Sequence, residues 1–115
     1  MSLAFLKQFK KDVAKMETVT MDFSAPSFWY STGNLAVNKI IAGSFNKGIP
    51  QGRITCLAGP SGSGKSFLLC NILAHAQEQG AIVFALDSEH ALDTGYMSKI
   101  GMNLSEDKFI YAGVD

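Results

Sequence analysis

Cysteine is scarce in this chain, and the two present, Cys56 and Cys70, have no set of other ligand residues beside them. A disulfide framework or a metal centre built on them is therefore disfavoured, and both read as small buried hydrophobes among apolar neighbours. Long hydrophobic runs are missing too. The longest, Ala81 to Leu86, falls far short of the roughly 20 residues that cross a bilayer. The N-terminus carries lysines without an apolar stretch behind them, which excludes a secretory signal and makes a reduced, cytoplasmic location the expectation. Neither sign of charge is in excess, and no internal repeat or low-complexity tract is present. With 47% hydrophobic and 17% charged residues, the 115-residue chain has the composition of one ordinary globular domain.

The zero net charge hides an asymmetry. Residues 1–53 hold seven Lys or Arg against three Asp or Glu, and residues 54–115 hold three against seven. Most of the basic excess lies in Lys7, Lys10, Lys11 and Lys15, which suit a solvated helix face as well as a nucleic-acid contact.

Residues 59–66 read Gly59-Pro60-Ser61-Gly62-Ser63-Gly64-Lys65-Ser66, a complete G-x-x-x-x-G-K-[ST] pattern. Gly59, Gly62 and Gly64 allow backbone conformations closed to residues with a Cβ, so successive N–H groups can converge on one anion. Lys65 is placed for the β- and γ-phosphates of a nucleotide, and the Ser66 hydroxyl for Mg²⁺. Arg53 to Ala58 reads as a β-branched strand entering this loop, and Ser66 to Gln79 as a helix leaving it, whose N-terminal amides and dipole add to the anion site. The bland alternative is a glycine-rich turn with no ligand.

Elsewhere, Leu6, Phe9, Val13 and Met16 recur at helical spacing within residues 3–16, an amphipathic helix that packs on its own domain or on a neighbouring protomer. Residues 17–33 read as an extended linker whose Phe28-Trp29-Tyr30 cluster needs cover. Ser31 to Asn34 offers N-caps for a helix through Ile41, and residues 43–52 read as a loop. After Gly80 come a strand over 81–86, a short helix over 93–100 and a strand over 109–114. Strands alternating with helices imply right-handed crossovers and a parallel sheet.

The 81–86 strand runs into Asp87-Ser-Glu-His-Ala-Leu-Asp93. In a parallel α/β sheet this puts Asp87 and Glu89 at the carboxyl end, where the glycine-rich loop also lies. A carboxylate there can hold a water in line with a γ-phosphate. Asp87 and Asp93 serve equally well as caps, whereas Glu is a poor cap, which favours a chemical role for Glu89. His90 reads as a supporting or packing residue, and His75 as a surface one.

Taken together, Ser31-Thr32-Gly33, Gly48-Ile-Pro-Gln-Gly-Arg-Ile54, Gly59 to Ser66, and Asp87 to Asp93 followed by Tyr96 resemble RecA and its phage UvsX-type relatives, in order and separation. The resemblance runs from about residue 31 to the end. It implies an α/β P-loop NTPase fold, a partial RecA-like parallel sheet preceded by the amphipathic helix. Residues 1–33 would be an oligomerisation helix and linker, and 34–115 the N-terminal part of the ATPase core. Carried over by position, residues 59–66 bind ATP, with Lys65 also catalytic and Ser66 on Mg²⁺. Glu89 matches the water-activating glutamate, and Asp93 and Tyr96 match residues that meet adenine, Tyr96 by stacking. The N-terminal helix matches the arm that docks on the next protomer of a filament, giving a homo-oligomer.

Some features depart from the family. The linker lacks the Phe-x-x-Ala motif of the eukaryotic and archaeal branch, since Ala25 falls two residues after Phe23 and Pro26 takes the third place. Phe109 to Asp115 is a poor Walker B strand. Single-stranded DNA would be bound by regions outside this chain, which is expected to be the N-terminal portion of a recombinase, either an engineered fragment or a split or truncated gene product. No membrane partner is implied, and the cytoplasm would be the host's if the gene is a phage's. The alternatives are another ATPase on the same core, such as a ring helicase or a RadA/KaiC-like protein, and a non-catalytic nucleotide-binding module.

Overall fold

A computed structural model describes residues 2–18 and 24–115. Helix α1, Leu3–Ala14, starts at Ser2, whose hydroxyl accepts from the Phe5 amide, and it buries none of its residues. Phe5 and Phe9, one turn apart, stack at 6.2 Å on its exposed face. Phe23 of the linker lies outside the described residues.

The next unit contains two elements that the spacing did not signal. Strand β1, Trp29–Tyr30, pairs antiparallel with β2, Ile49–Pro50, so the 43–52 segment is not loop throughout. Pro50 is tolerated because this two-stranded ladder is all edge, and the Gln51 amide closes it on the Phe28 carbonyl at 2.9 Å. Between these strands runs α2, Leu35–Ala42, capped by the Asn34 side chain on the Val37 amide and ended by Gly43 in the left-handed region. Asn38 on α2 is fully buried and ties the unit together. Its Oδ1 accepts from the Thr32 amide and hydroxyl, and its Nδ2 donates to the Ser31 hydroxyl and the Phe45 carbonyl.

Helix α3, Lys65–Glu78, leads through Gly80 to β3, Val83–Asp87; α4, Thr94–Lys99, then leads to β4, Phe109–Gly113. β3 and β4 pair in parallel, Val83 opposite Phe109 through Asp87 opposite Gly113. The core gathers on one face of this sheet: Cys70 and Ala74 from α3, Met97 from α4, Met102, Val83 and Phe109. Opposite it the sheet is bare, with Phe84 61% and Leu86 66% exposed beside Ile82 and Ile110.

Three expectations are corrected. Residues 53–58 form no strand, and Ile54 is fully exposed. Their β-branched composition supplies propensity, but a ladder needs a second segment to hydrogen-bond with, and none of the described residues lies alongside. Cys56 on this stretch is accordingly exposed; only Cys70 is buried, and burial raises its thiol pKa. His75 is half-buried rather than a surface residue, with Nδ1 2.8 Å from the Asn71 carbonyl.

Candidate functional site

The 59–66 loop turns on Gly62 and Gly64, whose φ values of 77° and 91° are strained for any residue with a Cβ. Gly59 does not use the left-handed backbone that its spacing suggested. Its φ is ordinary, but a Cβ there would sit 2.8 Å from the Ser63 hydroxyl. Gly64 is also the N-cap of α3 and brings no side-chain acceptor, so the first-turn amides keep their capacity for an external anion. Lys65 folds back on the loop, its Nζ donating to the carbonyls of Gly59 at 2.6 Å and Pro60 at 2.9 Å.

Across from this loop stands the turn after β3. One cleft of about 420 Å³ is lined by Ser61, Gly62, Gly64, Lys65 and Ser66 on one side and by Glu89 and Ala91 on the other. The second half of the loop and Glu89 thus converge, although the strand expected to lead into the loop is absent, while Gly59, Pro60 and Ser63 line a separate hollow with Leu57, Ala58 and Leu68. A second cleft of about 290 Å³ shares Ser66, Phe67 and Ala91 and extends to Cys70, Asp93 and Tyr96. The Tyr96 and Phe67 rings meet at 5.5 Å, and Asn71 donates to the Tyr96 hydroxyl at 3.1 Å. Asp93 is the N-cap of α4, Oδ1 accepting from the Gly95 amide at 2.9 Å, while it lines the cleft. Phe67 escaped the sequence reading; its one signal was a large aromatic directly after the motif, on the exposed side of a helix.

The turn carrying Glu89 is organised by Asp87. This carboxylate is 8% exposed and takes the Leu92 amide at 3.0 Å, the Glu89 amide at 3.3 Å and the Tyr111 hydroxyl at 3.2 Å. The Leu92 amide is the chief cause that holds its pKa below the ordinary carboxylate value, with the Ala91 amide, Tyr111 and the Glu89 amide adding to it. Tyr111 moves the other way: burial first, then its bond to Asp87, raises its pKa. His90 adopts a left-handed φ of 51°, and its Nε2 lies 3.3 Å from Asp115. Among the described residues no group of His, Cys, Asp or Glu is arranged to hold a metal by itself, and no helix is long and apolar enough to cross a membrane.

Similarity to known proteins follows the same segments. The family described as the RecA N-terminal domain matches residues 3–111. Protein RecA of Gluconobacter oxydans is 48% identical over 59 residues, which make up 51% of this chain and 17% of that protein. Protein RecA of Desulforapulum autotrophicum is 42% identical over 76 residues, 66% of this chain and 21% of its own length. Protein RecA of Chlamydia felis is 48% identical over 59 residues, 51% of this chain and 17% of its length. The chain therefore spans about a fifth of the length of these relatives. Matched over nearly all of its residues, with α1, the first strand pair and both clefts inside the match, the chain belongs to the RecA N-terminal domain family.

Proposed function

We propose that this chain is the ATP-binding part of a RecA/UvsX-type recombinase that forms filaments on single-stranded DNA and promotes ATP-dependent strand exchange. The observation that carries the reading is the shared cleft, where the 59–66 loop and Glu89, 23 or more positions apart in sequence, face each other. The two adjoining clefts, about 420 and 290 Å³, suit a nucleotide: phosphates at the glycine-rich end, base at the Tyr96 end.

Each residue then has a task. The amides of residues 62–66 and the start of α3 bind the phosphates. Lys65 leaves the Gly59 and Pro60 carbonyls and turns its ammonium to the β- and γ-phosphates. Ser66 would hold Mg²⁺ through its hydroxyl, and the ion would supply positive charge to offset the phosphate oxygens. Asp93 and Tyr96 hold the base. Glu89 accepts a proton from the attacking water and orients it. α1, with its apolar face uncovered, serves as the arm that docks on the next protomer.

Equilibrium ATP binding measured beside ATP hydrolysis, with and without single-stranded DNA, tests the proposal. Binding with DNA-stimulated hydrolysis in the full natural polypeptide is expected. Binding without hydrolysis under either condition would leave a non-catalytic nucleotide-binding module, and no ATP binding at all would end the reading.

A further inference from the structure

We infer that Tyr111 is a positioning residue for Glu89, pinning the turn after β3 to the end of β4 through the Asp87 carboxylate. The inference rests on the role proposed above for Glu89, and it adds a residue outside the clefts that hold the glycine-rich loop.

The geometry begins with sheet register. Tyr111 lies opposite Ala85, on the face of the sheet that Asp87 shares, so its ring reaches diagonally across the pair to the last residue of β3. Its hydroxyl donates to Asp87 Oδ2 at 3.2 Å, and the same oxygen accepts the Leu92 amide at 3.0 Å. Oδ1 accepts the Glu89 amide at 3.3 Å. Asp87 thus holds both ends of the turn that carries Glu89, and Tyr111 fixes which way the carboxylate faces.

The end of β4 and the two residues after it make further contacts with the same turn. The Val114 amide donates to the Asp87 carbonyl at 3.0 Å. The His90 ring lies against Gly113, where a Cβ would come within 2.6 Å of Cε1, and the ring nitrogen meets Asp115 at 3.3 Å. Glycine at position 113, which interrupts an otherwise apolar strand, therefore has a reason: it admits the His90 ring. The clamp acts on Glu89 through its backbone and leaves its carboxylate free for the cleft.

The titratable groups around Asp87 are few. Tyr111 faces it from β4, Glu89 and His90 belong to the turn, and α3 brings only the uncharged Ser66 and Leu69 to the same cleft. The Tyr111 hydroxyl is one of the contacts that lower the Asp87 pKa, so removing it moves that pKa up. The turn should then come loose at a higher pH than in the native chain.

Tyr111→Phe keeps the ring and deletes the donor. In the full natural polypeptide without nucleotide, amide hydrogen exchange at residues 89–92 should quicken by about tenfold. With nucleotide, the dissociation constant for ATP should hold while kcat falls by about tenfold, the size of effect a small misplacement produces, and the acid limb of the pH–rate profile should shift to higher pH. Asp87→Asn, whose amide nitrogen cannot accept at one end of the turn and whose oxygen is a weaker acceptor at the other, should quicken exchange more, and it serves as the second variant if Tyr111→Phe folds poorly. Native exchange in both variants overturns the clamp. Faster exchange with native kcat and an unmoved acid limb overturns the positioning role. If the native protein binds ATP yet never hydrolyses it, the role of Glu89 fails instead, and exchange still decides whether the clamp exists.

Discussion

Lys65 is the residue on which the phosphate reading turns, because its ammonium is the one mobile charge of the glycine-rich loop. At present it is satisfied by two carbonyls, so its removal takes nothing from the core. Lys65→Ala should leave thermal unfolding unchanged and weaken Mg·ATP binding by about 1.5–3 kcal/mol, typical of a charge-assisted contact. Native affinity in a titration of that variant would remove the phosphate assignment. Glu89→Gln separates binding from turnover. The amide keeps the shape and still hydrogen-bonds, but it cannot take a proton, so ATP should bind while hydrolysis drops by about 10²–10⁴. Hydrolysis within a few-fold of native would make Glu89 a residue of the turn and nothing more.

At the scale of elements, the first strand pair depends on Asn38. Its four hydrogen bonds satisfy Thr32, Ser31 and the Phe45 carbonyl, those to Thr32 fully buried. Asn38→Ala would strand the Thr32 amide and the Phe45 carbonyl, and urea unfolding should register a loss of about 1–3 kcal/mol. The second strand pair should respond to acid. The Asp87 pKa is depressed in the fold, so the stabilisation it gives to the 88–92 turn is complete above the unfolded value of about 3.9. It is lost as pH falls below that value and through the folded one. Titration of the Asp87 carboxyl carbon by NMR should follow amide protection of Leu92, and protection indifferent to that titration would contradict the assignment.

The whole molecule exposes more than its mass requires. Its accessible surface is 8640 Å², against roughly 6,100 Å² for a compact monomer of this size. Its radius of gyration is 19.0 Å, where about 13 Å is usual for this length. The excess includes two apolar faces: Leu3, Phe5, Leu6 and Phe9 on α1, and Ile82, Phe84, Leu86 and Ile110 on the sheet. Residues 1–115 alone should therefore self-associate at micromolar concentration in sedimentation experiments. They should also bind single-stranded DNA weakly at fixed low salt, since Lys7, Lys10 and Lys11 of α1, with Lys15 at its C-cap, are their chief basic cluster. A stable monomer that binds such DNA tightly would point to those lysines as a DNA site.

Much of this was open to sequence reading, for a local reason. Helix α3, the caps at Asn34 and Asp93, the stop at Gly80 and the turns at Gly62 and Gly64 each follow from a few adjacent residues, whose φ preferences and hydrogen-bonding groups act over one turn of chain. The pairing of Trp29–Tyr30 with Ile49–Pro50 did not follow, because two-residue strands carry too little alternation to signal a partner. Nor did the exposure of residues 53–58, whose composition promises a strand that only a neighbouring segment can complete. The residue types of the site were legible, and so was their placement at one end of a parallel sheet; the shape of the cleft was not, since Ser66 and Glu89 are brought to its two walls by the packing of α3 on the β3–β4 sheet. The link from Tyr111 to Asp87 belongs to tertiary structure entirely. It exists because parallel register sets residue 85 opposite residue 111, and register is decided by the faces two strands bury, not by either strand alone.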